Sequence, residues 1–178
     1  MIGLSNKKVQ IVEHSCEWEN EYNKEKELLC DLLRPVIVDI EHVGSTSIPG
    51  CYAKPIIDIA IGVRDKYDME KVKSLLLLAG YYHNENAGAE DRLFFAKGEA
   101  ENRTHNIHVE IYGGISWRYH MDFRRILTNN PTEVKTYSDL KRELQRKFEN
   151  NRTEYTKSKD NYIKDVLNRY SNEEVTKS

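Results

Sequence analysis

Two short stretches of this sequence concentrate the residue types from which phosphate and metal sites are made. The first is Gly44-Ser45-Thr46-Ser47, followed by an aspartate set among isoleucines in Ile56-Ile57-Asp58-Ile59-Ala60-Ile61. A glycine lets the backbone approach a phosphate closely, and the hydroxyls of Ser45 and Thr46 are short donors without the bulk of a long side chain. Lys54 adds a cation nearby in the chain. Strand alternation puts Ile57, Ile59 and Ile61 on one face and Asp58 with Ala60 on the other. A carboxylate in such company needs a partner, because burying an unpaired charge is expensive. Two kinds remain open: a base or the N–H groups of the loop, or Mg²⁺, which prefers hard oxygen donors.

The second stretch is His105-Asn106-Ile107-His108-Val109-Glu110-Ile111-Tyr112. Its alternation sets Ile107, Val109 and Ile111 against Asn106, His108 and Glu110. If both strands lie in one sheet with their polar faces together, Asp58, His108 and Glu110 converge, and Asp58 with Glu110 would hold the metal. The ordinary role of a lone strand histidine, a structural hydrogen bond, stands beside that reading. His105 and His108 are three apart and point to opposite faces, so they make no paired metal site by themselves. Arg92, Lys97 and Arg103 flank these strands and suit the charge of a triphosphate; among 27 basic residues, solvating the surface is the plainer role. A further reading makes His105 or His108 the acid or base of a phosphohydrolase, since histidine titrates near neutrality.

The elements that must position these groups are legible in outline. An edge segment near Val9–Val12 precedes a helix from about Glu17 to Arg34, capped by Ser15 and stopped by Pro35. Val36 to Val43 and Pro55 to Val63 read as strands around the Gly44–Gly50 turn. A helix from about Tyr67 to Ala79 ends at Gly80, and three shorter β patterns follow: Tyr81–Asn84, Arg92–Lys97 and Thr104–Tyr112. From Ser116 the chain reads helical, with Asn130 as a cap before Pro131, and a last helix covers about Thr153 to Tyr170. The Leu75–Leu78 run and the Trp117, Tyr119, Phe123 set read as core, and the tail over 171–178 as frayed.

With 178 residues the chain suits one domain. A formal charge of −2 gives no global field toward nucleic acid or an acidic membrane surface. No run approaches the roughly 20 apolar residues of a membrane span, and the N-terminus has no basic-then-apolar leader, so a cytoplasmic protein is expected. Cys16, Cys30 and Cys51 lack metal-ligand spacing and read as free thiols.

The order of these motifs is informative beyond their chemistry. Glu41-His42-Val43-Gly44-Ser45-Thr46-Ser47-Ile48-Pro49-Gly50, Ala53-Lys54-Pro55-Ile56-Ile57-Asp58-Ile59, Arg92-Leu93-Phe94-Phe95 with Lys97-Gly98, and Arg103-Thr104-His105-Asn106-Ile107-His108-Val109 together resemble the signature blocks of the GrpB (UPF0157) family. Trp117, Phe123-Arg124, Tyr137, Leu140-Lys141 and Tyr155 before Lys159 continue the likeness to the helical end. The resemblance implies an α+β, nucleotidyltransferase-like fold: a mixed sheet flanked by helices, with a helical C-terminal part packing on it from about residue 116. It also implies Mg²⁺-dependent transfer of a nucleotidyl group from a nucleoside triphosphate to an unidentified acceptor. Gly44 and Ser45 would contact phosphate and Asp58 would be the first metal carboxylate. The wider superfamily carries a second acid two residues on, where this chain has Ala60. Glu110 would have to substitute from the neighbouring strand, together with His108 or Glu41. The alternative is a nucleotide- or phosphate-binding module of the same fold without metal chemistry.

Overall fold

The computed structural model describes residues 2–5, 9–99, 102–149 and 151–176. Among them the β-branched runs pair into one mixed sheet of β1 (Ile37–Val43), β2 (Ile57–Val63), β3 (Tyr82–His83), β4 (Arg92–Glu99) and β5 (Asn102–Ile111), in the order β1-β2-β5-β4-β3. β2 and β5 run parallel, and the other neighbours are antiparallel. A parallel pair cannot be closed by a tight turn, so the chain crosses over through α2 (Lys66–Leu78) before returning as β5.

Alternation decides what each face of the sheet meets. Ile57, Ile59 and Ile61 of β2, Ile107 and Val109 of β5 and Phe95 of β4 share a core with Trp18, Tyr22, Leu29 and Leu33 of α1 (Glu17–Leu33) and Val72 and Leu76 of α2. The opposite face carries Asp58, Ala60, Asn106, His108 and Glu110. α3 (Ile115–Thr128) lies on that side, with Trp117 packed on Val43 and Ala60. α4 (Pro131–Lys147) and α5 (Arg152–Thr176) join α3 in a second core of Phe123, Ile126, Leu127, Tyr137, Ile163 and Val166, closed by Ile48 and Cys51 from the loop before β2. The α+β arrangement expected from the sequence, a mixed sheet flanked by helices with a helical C-terminal part, is therefore the one adopted.

Several local expectations change. The segment near Val9–Val12 forms a lone bridge, Val12 to Ala53, rather than a strand. Cys16 occupies the N-cap of α1, and the Ser15 hydroxyl accepts from Glu17 N–H at 3.3 Å. At the start of α4 the Asn130 side chain makes no cap; its amide donates to the Ile126 carbonyl at 2.7 Å and so serves the end of α3. Leu76 is buried, but Leu77 and Leu78 are 48% and 86% exposed, because four consecutive residues span a full helical turn and only part of it faces the sheet. The backbone of α5 runs on to Thr176, past the point where fraying was expected, while residues 177 and 178 lie outside the described residues. Among the described residues no helix is long and apolar enough to cross a membrane. The three cysteines are free thiols.

Candidate functional site

The turn after β1 has a backbone that only glycine accepts. Gly44 sits at φ +70°, and a Cβ there would lie 2.6 Å from Oδ2 of Asp58. The turn closes through the Ser47 hydroxyl, which donates to the Gly44 carbonyl at 2.7 Å. Antiparallel pairing sets Val43 opposite Asp58, so the end of β1 and the start of β2 place the turn and the carboxylate side by side. Asp58 Oδ1 accepts from the Asn106 amide at 2.8 Å and lies 3.6 Å from His108 Nε2. Burial alone would raise the acid's pKa, but the His108 imidazole and the Asn106 amide outweigh it and hold Asp58 at about 2. His108 itself is held below the ordinary histidine value by burial, against the opposing pull of Asp58.

Asp58 opens into a cleft of about 760 Å³ between the sheet, α3 and α5. That is a small-molecule size. Gly44, Ser45, Lys54, Arg92 and Arg103 line it. Arg92 donates to the Ala87 carbonyl at 3.3 Å, while its Nε is buried without a hydrogen-bond partner. Lys54 lies over the Tyr155 ring at 5.1 Å and Arg103 over Phe94 at 5.9 Å, so both cations approach the cleft along aromatic surfaces. Tyr119, expected in the core, packs half-buried against the second core and also forms part of the cleft wall.

Beneath the cleft, His108 and Glu110 of β5 meet His120 of α3. One ligand-type atom from each of the three lies within 4.8 Å of the others. Glu110 is fully buried, and His120 Nδ1 comes to 3.0 Å from its Oε1. The approach misses hydrogen-bond direction, and both Glu110 oxygens and Nδ1 of both histidines are buried without a hydrogen-bond partner. Asp58 is not a member of this trio. The expectation that Asp58 and Glu110 share an ion is thus corrected: Asp58 faces the turn, whereas Glu110 lies opposite Gly62, four residues further along β2, under α3.

Four further expectations are corrected by where the residues sit or by what they pair with. Lys97 shares the parity of Phe95 and projects toward α1, where its ammonium pairs with buried Glu25 at 2.6 Å. His105 shares the parity of Ile107 and is buried on the same side, with Nδ1 2.9 Å from the Thr104 hydroxyl. Neither lines the cleft. The Thr46 hydroxyl is turned inward, 3.0 Å from His42 Nε2, and so holds the turn to β1 rather than offering a donor to the cleft. Glu41 accepts from Arg124 at 2.7 Å and is not available as the second metal acid.

The match to known proteins follows these same elements. Residues 8–169 match the family model described as GrpB protein. The chain belongs to the GrpB family. It is 39% identical over 172 residues to the glutamate-rich protein GrpB of Alkalihalophilus pseudofirmus, covering 94% of this chain and 99% of that one. It is 34% identical to the UPF0157 protein YqkA of Bacillus subtilis, where it spans only 46% of the longer relative. The crystal structure of the conserved protein GrpB from Enterococcus faecalis superposes with a TM-score of 0.80 at 27% identity, over 90% of this chain and 99% of the other.

Within this GrpB chain, the residues of the cleft and of the cluster beneath it to which the sequence alone assigned no role are His120, Asn106, Lys159 and Lys164. Lys159 and Lys164 reach the cleft from α5. Asn106 was readable, since it shares the face of His108 and pairs in register with Asp58. His120 and the two lysines lie on helices whose approach to the sheet no local pattern encodes.

Proposed function

We propose that this GrpB chain binds a nucleoside triphosphate in the cleft and, with Mg²⁺, transfers its nucleotidyl group to an acceptor. The observation that supports this most is the seat of Asp58: an ionised carboxylate beside a glycine-serine turn, facing a cleft lined by Lys54, Arg92, Arg103, Lys159 and Lys164. The turn offers backbone N–H groups and the Ser45 hydroxyl to phosphate oxygens, and the arginines suit bidentate contact. One carboxylate suits Mg²⁺ that arrives on the triphosphate, where it would neutralise charge on the reacting phosphate. Asn106 and His108 both approach Oδ1 of Asp58 and orient it, so His108 acts on the carboxylate rather than on substrate.

Titration calorimetry with each nucleoside triphosphate, with and without Mg²⁺, tests the reading. Binding that requires Mg²⁺ and disappears in a folded Asp58→Ala variant is expected; absence of metal-dependent binding at millimolar ligand would sink it. Ala60 favours a second reading. It is fully buried against Val43 and Trp117, so the position of a second acid is dry apolar packing. Triphosphate binding that is indifferent to Mg²⁺, with no pyrophosphate released across acceptors, would make the protein a binding module.

A further inference from the structure

Four polar atoms in one buried spot lack hydrogen-bond partners: both carboxylate oxygens of Glu110, Nδ1 of His108 and Nδ1 of His120. Glu110 is fully buried, and the side chains of His108 and His120 are 11% and 14% exposed. An isolated buried carboxylate is costly, and a simple ion pair with His120 would leave the other oxygen and the His108 nitrogen unsatisfied. The 3.0 Å approach of His120 Nδ1 to Glu110 Oε1 lacks the direction of a hydrogen bond. It does match the spacing of two donors on one ion: ligands at about 2.1 Å from a metal, at tetrahedral to octahedral angles, sit about 3.0–3.4 Å apart.

We propose that His108 Nδ1, His120 Nδ1 and the Glu110 carboxylate form a site for one divalent first-row transition ion, zinc above all. Two imidazoles with one carboxylate are a borderline-soft set that favours zinc over Mg²⁺, whose preference is for oxygen donors. A dication there satisfies all the orphaned atoms together. His108 and His120 both line the cleft while Glu110 lies beneath them, so the remaining coordination position faces the cleft. A water or a phosphate oxygen fits that position, as in zinc sites that keep one ligand exchangeable. On the far edge of the His108 ring, Nε2 looks toward Asp58 at 3.6 Å, the relation by which an outer carboxylate orients a metal-bound histidine. The cleft acid and the buried ion would then act on opposite edges of one ring. The site stands independently of the triphosphate reading, because none of its three ligands was needed there to hold phosphate.

The test uses chelator-stripped full-length protein without nucleotide. Competition titration of Zn²⁺ against a chromophoric chelator should give one tight equivalent per chain, undisturbed by millimolar Mg²⁺. Glu110→Gln and His120→Ala should each weaken it by at least about a hundredfold, and Asp58→Ala, which removes only the outer partner, by about tenfold or less with the stoichiometry kept. Should either ligand variant fail to fold, X-ray absorption at the zinc edge of the wild-type protein still decides: two imidazoles and an oxygen in the inner shell are expected. No stoichiometric zinc, an inner shell without imidazole, or binding lost in Asp58→Ala yet retained in folded Glu110→Gln would each overturn the site. Zinc bound as described with no triphosphate affinity would leave the site intact and remove only the nucleotidyl-transfer reading.

Discussion

Gly44 and Asp58 constrain each other. Any side chain at Gly44 would displace the carboxylate, and its φ of +70° penalises other residues even without that clash. The carboxylate in turn is ionised well below its ordinary range, with consequences for stability as well as binding. Its folded pKa of about 2 lies below the ordinary 3.8, so its contribution is present in full above the unfolded value and lost as pH falls from about 4 toward 2. Asp58→Asn should therefore cost on the order of 2 kcal/mol near neutrality, with the deficit shrinking across that acidic window. Denaturant unfolding of both proteins over a pH series would measure it; a deficit constant with pH would mean that the carboxylate is not held as described.

At the scale of elements, one rule separates the residues that meet the cleft from those that do not: successive strand residues face opposite ways. Lys97 and Phe94 illustrate it on β4. Phe94 faces the cleft, and Lys97, of opposite parity, meets Glu25 and the ring of Tyr81 under α1. The Tyr81 hydroxyl donates to the same Glu25 carboxylate, and burial followed by that acid raises the phenol's pKa. Lys97 is thus a structural cation that lets α1 carry an acid into the core. Lys97→Met should destabilise the protein by about 1–3 kcal/mol, because the buried acid loses its charged donor. Thermal unfolding would show the loss, and triphosphate affinity of the folded variant should match wild type. A drop in affinity with unchanged stability would return Lys97 to the phosphate site.

At the scale of the molecule, the cleft exists because the chain's last helix comes back over the sheet. α5 adds Lys159 and Lys164, with Asp160, to cations from the β2 approach and from β4 and β5, so in a protein with a net charge of −2 five cations gather in a cleft that holds two acids, Asp58 and Asp160. Lys159 also helps keep Asp58 ionised. Lys159→Ala should weaken triphosphate binding about tenfold, the loss of one charge-assisted contact, with little change in melting temperature. Calorimetry at low and high salt would separate this from a fold effect, since the difference between variant and wild type should narrow as salt screens the cleft.

Much of the architecture was written in local patterns. The isoleucine alternation of β2 and β5, the glycine-serine turn and the punctuation at Pro35, Gly80 and Pro131 determine where strands and helices form and which way Asp58, His108 and Glu110 face on their own strands. Local periodicity says nothing about what a face meets. The strand register put Asn106 beside Asp58 and separated Asp58 from Glu110, and the packing of α3 brought His120 onto Glu110. The return of α5 supplied two lysines, and the burial of Glu25 claimed Lys97. Those outcomes depend on contacts between residues far apart in the chain, which form only when whole elements pack. Tertiary structure alone therefore decided which of the chemically capable residues share a site.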